Sequence, residues 1–180
     1  MNDKTRAMEL LGYLKKPALM EYLHKQKYFE YPASTKYHGS YPGGLVKHCL
    51  NVFNIMMDYY IQFGLKLSMQ DIIVTSMLHD DCKLGAYLQN GEKYKWNGYQ
   101  PSGHGMLSIK RIKAIMPLSD IQVAMIKYHM GSWGCSESNT KIKEYPLAEM
   151  QKAFLDPRVR LFYLADEMAT QKEMVEEKNG

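Results

Sequence analysis

The segment Ser68-Met-Gln-Asp-Ile-Ile-Val-Thr-Ser-Met-Leu-His79-Asp80-Asp81-Cys82-Lys83 decides how this chain is read. Ser68 can cap a helix from Met69 to about Asp80, because its hydroxyl accepts from first-turn N–H groups that have no intrahelical partner. Ile72, Ile73, Met77 and Leu78, with Thr75 among them, go nearly all round that helix, which predicts deep burial rather than a surface stripe. A buried helix that ends in two carboxylates, an imidazole, a thiol and an ammonium needs partners for them. The His79-Asp80 dipeptide alone is expected by chance in roughly one chain in four of this composition, so its weight depends on residues elsewhere.

Working outward, helical periodicity dominates. An amphipathic segment covers about 4 to 14, and Pro17 suits the first position of a second helix running to about Phe29. Tyr31 to Gly44, with two prolines and three glycines before Leu45, reads as an irregular loop of the kind that carries function. Leu45 to about Phe63 forms a third helix closed by Gly64. After Lys83, Asn90-Gly91 between aromatic segments predicts a short hairpin over Tyr87 to Trp96. Pro101-Ser102-Gly103 opens a helix to about Met116, residues 118 to 130 form another ending near Gly131, and Pro146 to about Glu176 makes the last, with a break near Pro157. The expected fold is an all-α helical bundle with a minor β-hairpin, in one domain spanning 1–180.

At 180 residues a single domain buries close to 70% of the surface of its unfolded chain and needs no disulfides. The three cysteines are odd in number, far apart and without a CxxC pair, which excludes a disulfide framework and a thiolate zinc site and suits a reducing, cytoplasmic compartment. The amino terminus has no apolar signal region and the longest apolar run, around Ile72 to Leu78, is too short to span a bilayer, so no membrane partner is expected. A net charge of +4, spread over small clusters such as Lys15-Lys16, Lys110-Arg111 and Lys141 to Lys143, describes solvated helix faces that do not repel an anionic substrate. The fourteen methionines read as flexible core filling.

With the helices placed, several ionisable residues can converge. His48 lies near the start of the third helix, His79 and Asp80 end the fourth, His104 begins the fifth, His129 ends the sixth, and Asp166 interrupts the apolar run Phe162-Tyr-Leu-Ala-Asp166 in the last. Most of these are helix ends, from which side chains reach a shared cleft without crossing the core. Imidazole with carboxylate suits manganese, iron, cobalt or zinc, and the lack of thiolate pairs makes the set look catalytic rather than structural. Spacing alone leaves open that the histidines are caps interacting with helix dipoles.

These residues resemble a family. His48, then His79-Asp80, then Asp166 are similar in order to the ligands of the HD superfamily of metal-dependent phosphohydrolases. Tyr41-Pro-Gly-Gly-Leu-Val-Lys-His48, Leu78-His79-Asp80-x-x-Lys83 and Gly103-His104 match segments of the HD module in YhaM-type 3'-to-5' exoribonucleases. Pro32-Ala-Ser-Thr-Lys-Tyr-His38 and Tyr128-His129-Met130-Gly131 look closer to small HD proteins of bacteria and their phages. The resemblance covers about residues 28–170.

It implies that His48, His79, Asp80 and Asp166 hold a first metal, and that His104 and His129 complete a second site with Asp80 bridging. The cofactor is then one or two divalent ions, with magnesium added to the metals above. Lys83 matches a lysine near the phosphate or the attacking water, and His38 a loop histidine suited to phosphate contact. Many dinuclear members carry a His-His pair where this chain has His129-Met130, no Gly-Tyr-Pro motif follows, and the nucleic-acid-binding domain of the YhaM-like enzymes is missing, which favours a small substrate. The expected activity is hydrolysis of a nucleotide or other small phosphoester by a metal-activated hydroxide, with Asp80 orienting it and Lys83 offsetting phosphate charge. Lys36 flanks the cleft as a further substrate contact. Tyr87, Tyr94, Trp96 and Tyr99 read either as an aromatic wall for a nucleobase or as cross-strand packing. Asp81 is either a partner that orients a ligand histidine or a solvent-facing helix-end residue, and Cys82 is inert packing. Two alternatives remain: a nuclease for short single-stranded oligonucleotides, and a non-catalytic nucleotide-binding or interaction module. A homo-oligomer is compatible with each.

Overall fold

A computed structural model of the chain describes residues 1–35, 38–90, 93–97, 103–136 and 144–179. Among them the fold is all-α with one minor hairpin. Its helices are α1 (Asp3–Tyr13), α2 (Pro17–Lys25), α3 (Gly44–Phe63), α4 (Met69–Leu78), α5 (His104–Lys113), α6 (Asp120–Tyr128), α7 (Leu147–Ala153) and α8 (Pro157–Asn179). Strands β1 (Tyr87–Asn90) and β2 (Lys93–Trp96) pair antiparallel, with Tyr87 opposite Trp96 and Asn90 opposite Lys93. Asn90 is therefore the last paired residue of its strand rather than a turn residue, and positions 91–92 lie outside the described residues. No described helix is long and apolar enough to cross a membrane.

Helix α3 is the axis of the molecule and packs against α8, α4 and α1, while α6 packs against α5, α8 and α4. Helix α4 is buried on all sides from Ile72 to Leu78, as its near-continuous apolar circumference requires. Met56, Met77, Met116, Met125 and Met150 are buried and fill the core, whereas Met1, Met106 and Met168 are exposed. Pro157 starts α8 and separates it from α7, since proline suits a first helical position. Helix α2 is shorter than expected: it stops at Lys25, Lys27 takes a left-handed conformation with φ 57°, and a 3₁₀ turn over Tyr28–Glu30 buries Tyr28 and Phe29 separately. Tertiary burial of those two rings outweighs continuation of the helix.

Two glycines bring the future site residues close. A Cβ on Gly44 would collide with the carbonyl of Gly39, so only glycine lets the backbone at Gly39 lie against the start of α3. A Cβ on Gly105 would come within 2.6 Å of the Ile126 carbonyl oxygen, so its absence allows α5 to approach the end of α6.

Candidate metal centre

His79 is the C-cap residue of α4 and His129 that of α6. At a helix C-terminus the last carbonyls lack intrahelical donors, and both rings fold back onto them: His79 Nδ1 lies 3.1 Å from the Ser76 carbonyl and His129 Nδ1 lies 2.7 Å from that of Ile126. A carbonyl only accepts, so each Nδ1 carries a proton and Nε2 is the ring nitrogen left for a further partner. Both Nε2 atoms are buried, without a hydrogen-bond partner among the described residues.

Both Nε2 atoms lie toward carboxylates. His79 Nε2 lies 3.4 Å from Asp80 Oδ2 and 3.6 Å from Asp166 Oδ1, and His129 Nε2 lies 3.7 Å from Asp80 Oδ1. His48, the fifth residue of α3, sets Nε2 2.9 Å from Asp166 Oδ1 and 3.8 Å from Asp80 Oδ2. The ligand atoms of His48, His79 and Asp166 all lie within 4.8 Å of one another. Lys83, from the 3₁₀ turn over Asp81–Lys83, places Nζ 2.6 Å from Asp80 Oδ2 at the edge of the cluster.

Burial works against the His79 imidazolium, yet the adjacent Asp80 and Asp166 carboxylates raise its pKa to about 10. Burial likewise opposes charge on Asp80 and Asp166, but Lys83 and His79 hold Asp80 well below the carboxylate range, and His48 and His79 do the same for Asp166. Protons on the histidines thus stand where a cation would satisfy the same acids. Buried carboxylates facing the buried Nε2 atoms of His79 and His129, which have no hydrogen-bond partner among the described residues and supply lone pairs once deprotonated, are a donor set that fits a divalent ion.

Two residues absent from the sequence expectation complete this region. Glu173 of α8 is 4% exposed, with Oε2 3.2 Å from His48 Nδ1 and Oε1 2.6 Å from the Asn51 amide nitrogen. Residues 171–179 read as a polar helix tail, but Phe162, Ala165, Ala169 and Glu173 continue one buried stripe at helical spacing, which is the signal that marks Glu173.

The remaining expected residues are placed variously. His38 is buried, stacks on His48 at a centroid distance of 4.8 Å, and has Nε2 3.8 Å from Glu173 Oε2; burial lowers its pKa to about 4. With His48 and Glu173 it forms a second group of ligand atoms within 4.8 Å. His104 starts α5 with Nδ1 3.4 Å from Cys82 Sγ, and burial lowers its pKa to about 4 despite the Asp80 charge. Cys82 is buried, its thiol raised by desolvation, as inert packing requires. Trp96 stands half exposed on β2, opposite Tyr87. Lys36, Tyr99 and Lys141 to Lys143 lie outside the described residues. Asp81 is neither solvent-facing nor bonded to a ligand histidine: it is fully buried, accepts from the Tyr22 hydroxyl at 2.9 Å and faces Arg111 at 3.8 Å. It shares none of these partners with Asp80, whose contacts are His48, His79, His129 and Lys83.

Comparisons with protein-family models, with curated proteins and with solved structures find no match to this chain.

Proposed function

We propose that the chain is a metal-dependent phosphohydrolase of the HD type, acting on a nucleotide or another small phosphoester. The observation that carries this reading is the convergence of His48, His79, Asp80 and Asp166, with the buried Nε2 of His79 left without a hydrogen-bond partner among the described residues. These four residues would hold one ion, and Asp80 with His129 and His104 would hold a second. A divalent ion at such a site supplies an acidified water near neutral pH and neutralises charge on phosphoryl oxygens.

The chain's own groups serve the rest of the reaction. Asp80, held by Lys83 through one oxygen and facing His129 with the other, is fixed in orientation and can orient the attacking water. Lys83, 16% exposed at the edge of the cluster, offers its ammonium to the phosphoryl oxygens, where a charge-assisted hydrogen bond is strongest. The slight exposure of the cluster, 16% at Asp166 and less at the histidines, supports a small phosphoester rather than a long polymer.

A screen of nucleotides and short oligonucleotides with manganese, cobalt or magnesium, with products identified by mass, tests the reading. Wild-type chain should release a hydrolysis product, and Asp80→Ala should lose on the order of 10²-fold or more in turnover while keeping its helical circular dichroism. A fully active Asp80→Ala chain would sink the proposal. Nucleotide binding without product under every metal would make the chain a binding module, and cleavage that grows with oligonucleotide length and fails in salt would make it a nuclease.

A further inference from the structure

The three histidines of the cluster are oriented by two different means. His79 and His129, at helix ends, give their Nδ1 protons to carbonyls left free there. His48 sits inside α3, where carbonyls are used by the helix ladder, and its Nδ1 meets a side chain from α8 instead, Glu173 at 3.2 Å. Glu173 is itself held: Asn51, one turn along α3 from His48, donates to Oε1 at 2.6 Å, which turns Oε2 toward the imidazole. The face of His38 closes the ring from the side, 17° from parallel.

A neutral imidazole has one N–H and one lone pair. On the Nε2 side of His48 lie Asp166, Asp80 and His79, the richer set of donors; on the Nδ1 side lies Glu173. Resting on the metal-centre reading, we propose that Glu173 is a positioning residue for His48: it accepts the Nδ1 proton and thereby presents the Nε2 lone pair to the ion shared with His79, Asp80 and Asp166. Without Glu173 Nδ1 would have no acceptor, the ring would keep its one proton on Nε2 against Asp166 at 2.9 Å, and the lone pair would face away from the site. Outer carboxylates of this kind change metal affinity by about 10- to 100-fold when removed.

Two variants separate orientation from direct ligation. Glu173→Met has no acceptor. Glu173→Gln keeps one oxygen for the Nδ1 proton, since Asn51 can turn its amide to accept from the new NH2 group. Affinity is read by titration with cobalt(II) through its visible absorption. Whether Nδ1 of His48 carries a proton is read from long-range proton–nitrogen correlations in the metal-free chain at neutral pH.

In the wild-type chain Nδ1 should carry a proton held by Glu173, beside the one that Nε2 shares with Asp166. In Glu173→Met the Nδ1 proton should be lost and only Nε2–H remain, with cobalt bound about 10- to 100-fold more weakly; Glu173→Gln should keep Nδ1–H and most of the affinity. Should Glu173→Met fail to fold, Asn51→Ala, which frees the carboxylate to rotate, should weaken cobalt binding in the same direction by a smaller factor. A Glu173→Met chain, or in its place Asn51→Ala, with wild-type affinity and an unmoved proton overturns the inference. So does Glu173→Gln binding as weakly as Glu173→Met, because that outcome makes Glu173 a ligand. If the wild-type chain takes up no cobalt the metal-centre reading fails, while the proton position still decides whether Glu173 orients His48.

Discussion

Asp80 and Asp81 are adjacent in the chain and chemically opposite in the fold. Asp80 is ionised by its cationic neighbours, whereas burial pushes the Asp81 carboxyl up to about 6, against a Tyr22 hydrogen bond and the Arg111 charge that favour ionisation. One of its oxygens has no hydrogen-bond partner among the described residues. A folded pKa above the unfolded value of about 3.9 means that its stabilising protonation is complete below pH ~4 and lost as pH rises through 6. At pH 8 the buried charge costs on the order of 2 to 3 kcal/mol. Asp81→Asn removes that charge and keeps an acceptor for Tyr22, so its melting temperature should exceed that of the wild-type chain at pH 8 and lose this advantage at pH 4. Melting curves that show destabilisation at both values would refute this account of Asp81.

Helices α4 and α6 begin with matching capping boxes, Ser68 with Asp71 and Ser119 with Gln122, and the two boxes touch. Asp71 accepts from Ser68 through Oδ2, while its Oδ1 accepts from the Gln122 amide at 2.9 Å and the Ser119 hydroxyl at 3.4 Å. One carboxylate thus aligns the starts of the two helices whose far ends carry His79 and His129. Partial burial raises the Asp71 pKa, but the hydrogen bonds outweigh it and the net shift is downward. A lowered carboxyl contributes stability that is present above about pH 4 and lost as pH falls through its folded value. Asp71→Ala should cost about 1 to 2 kcal/mol at neutral pH and show a shallower loss of stability than the wild-type chain between pH 4 and 2. Denaturant melts across that range measure both effects.

For the molecule as a whole, the cluster ties α3, α4, α6 and α8 together through like-sign acids that the histidine protons must balance. A divalent ion should release those protons and stabilise the fold by about 2.7 kcal/mol at a hundredfold excess over its dissociation constant. For a domain of this length that is a rise of roughly 5 to 11 °C in melting temperature. Scanning calorimetry with manganese or cobalt, followed by chelation, should show the rise and its reversal. An unchanged transition with every divalent ion would count against the metal centre.

Much of this was legible in the chain. Ser68 and the all-round apolar positions of α4 predict a buried, capped helix, Gly64 and Pro157 mark ends that the structure keeps, and the helix-end positions of His79 and His129 suit a shared cleft. The reason is that caps, breaks and apolar periodicity act over a few residues, within reach of local backbone geometry. Glu173 and Asn51 were hidden because no local pattern marks a lone asparagine inside α3, and the polar tail around Glu173 masks its place in a buried stripe. Sequence alone determined the helix set, the hairpin and the residue types that meet. Which face of α8 turns toward α3, and hence that Asp166 meets Nε2 of His48 while Glu173 meets Nδ1, was decided only by tertiary packing, because side-chain direction across an interface depends on how two helices dock.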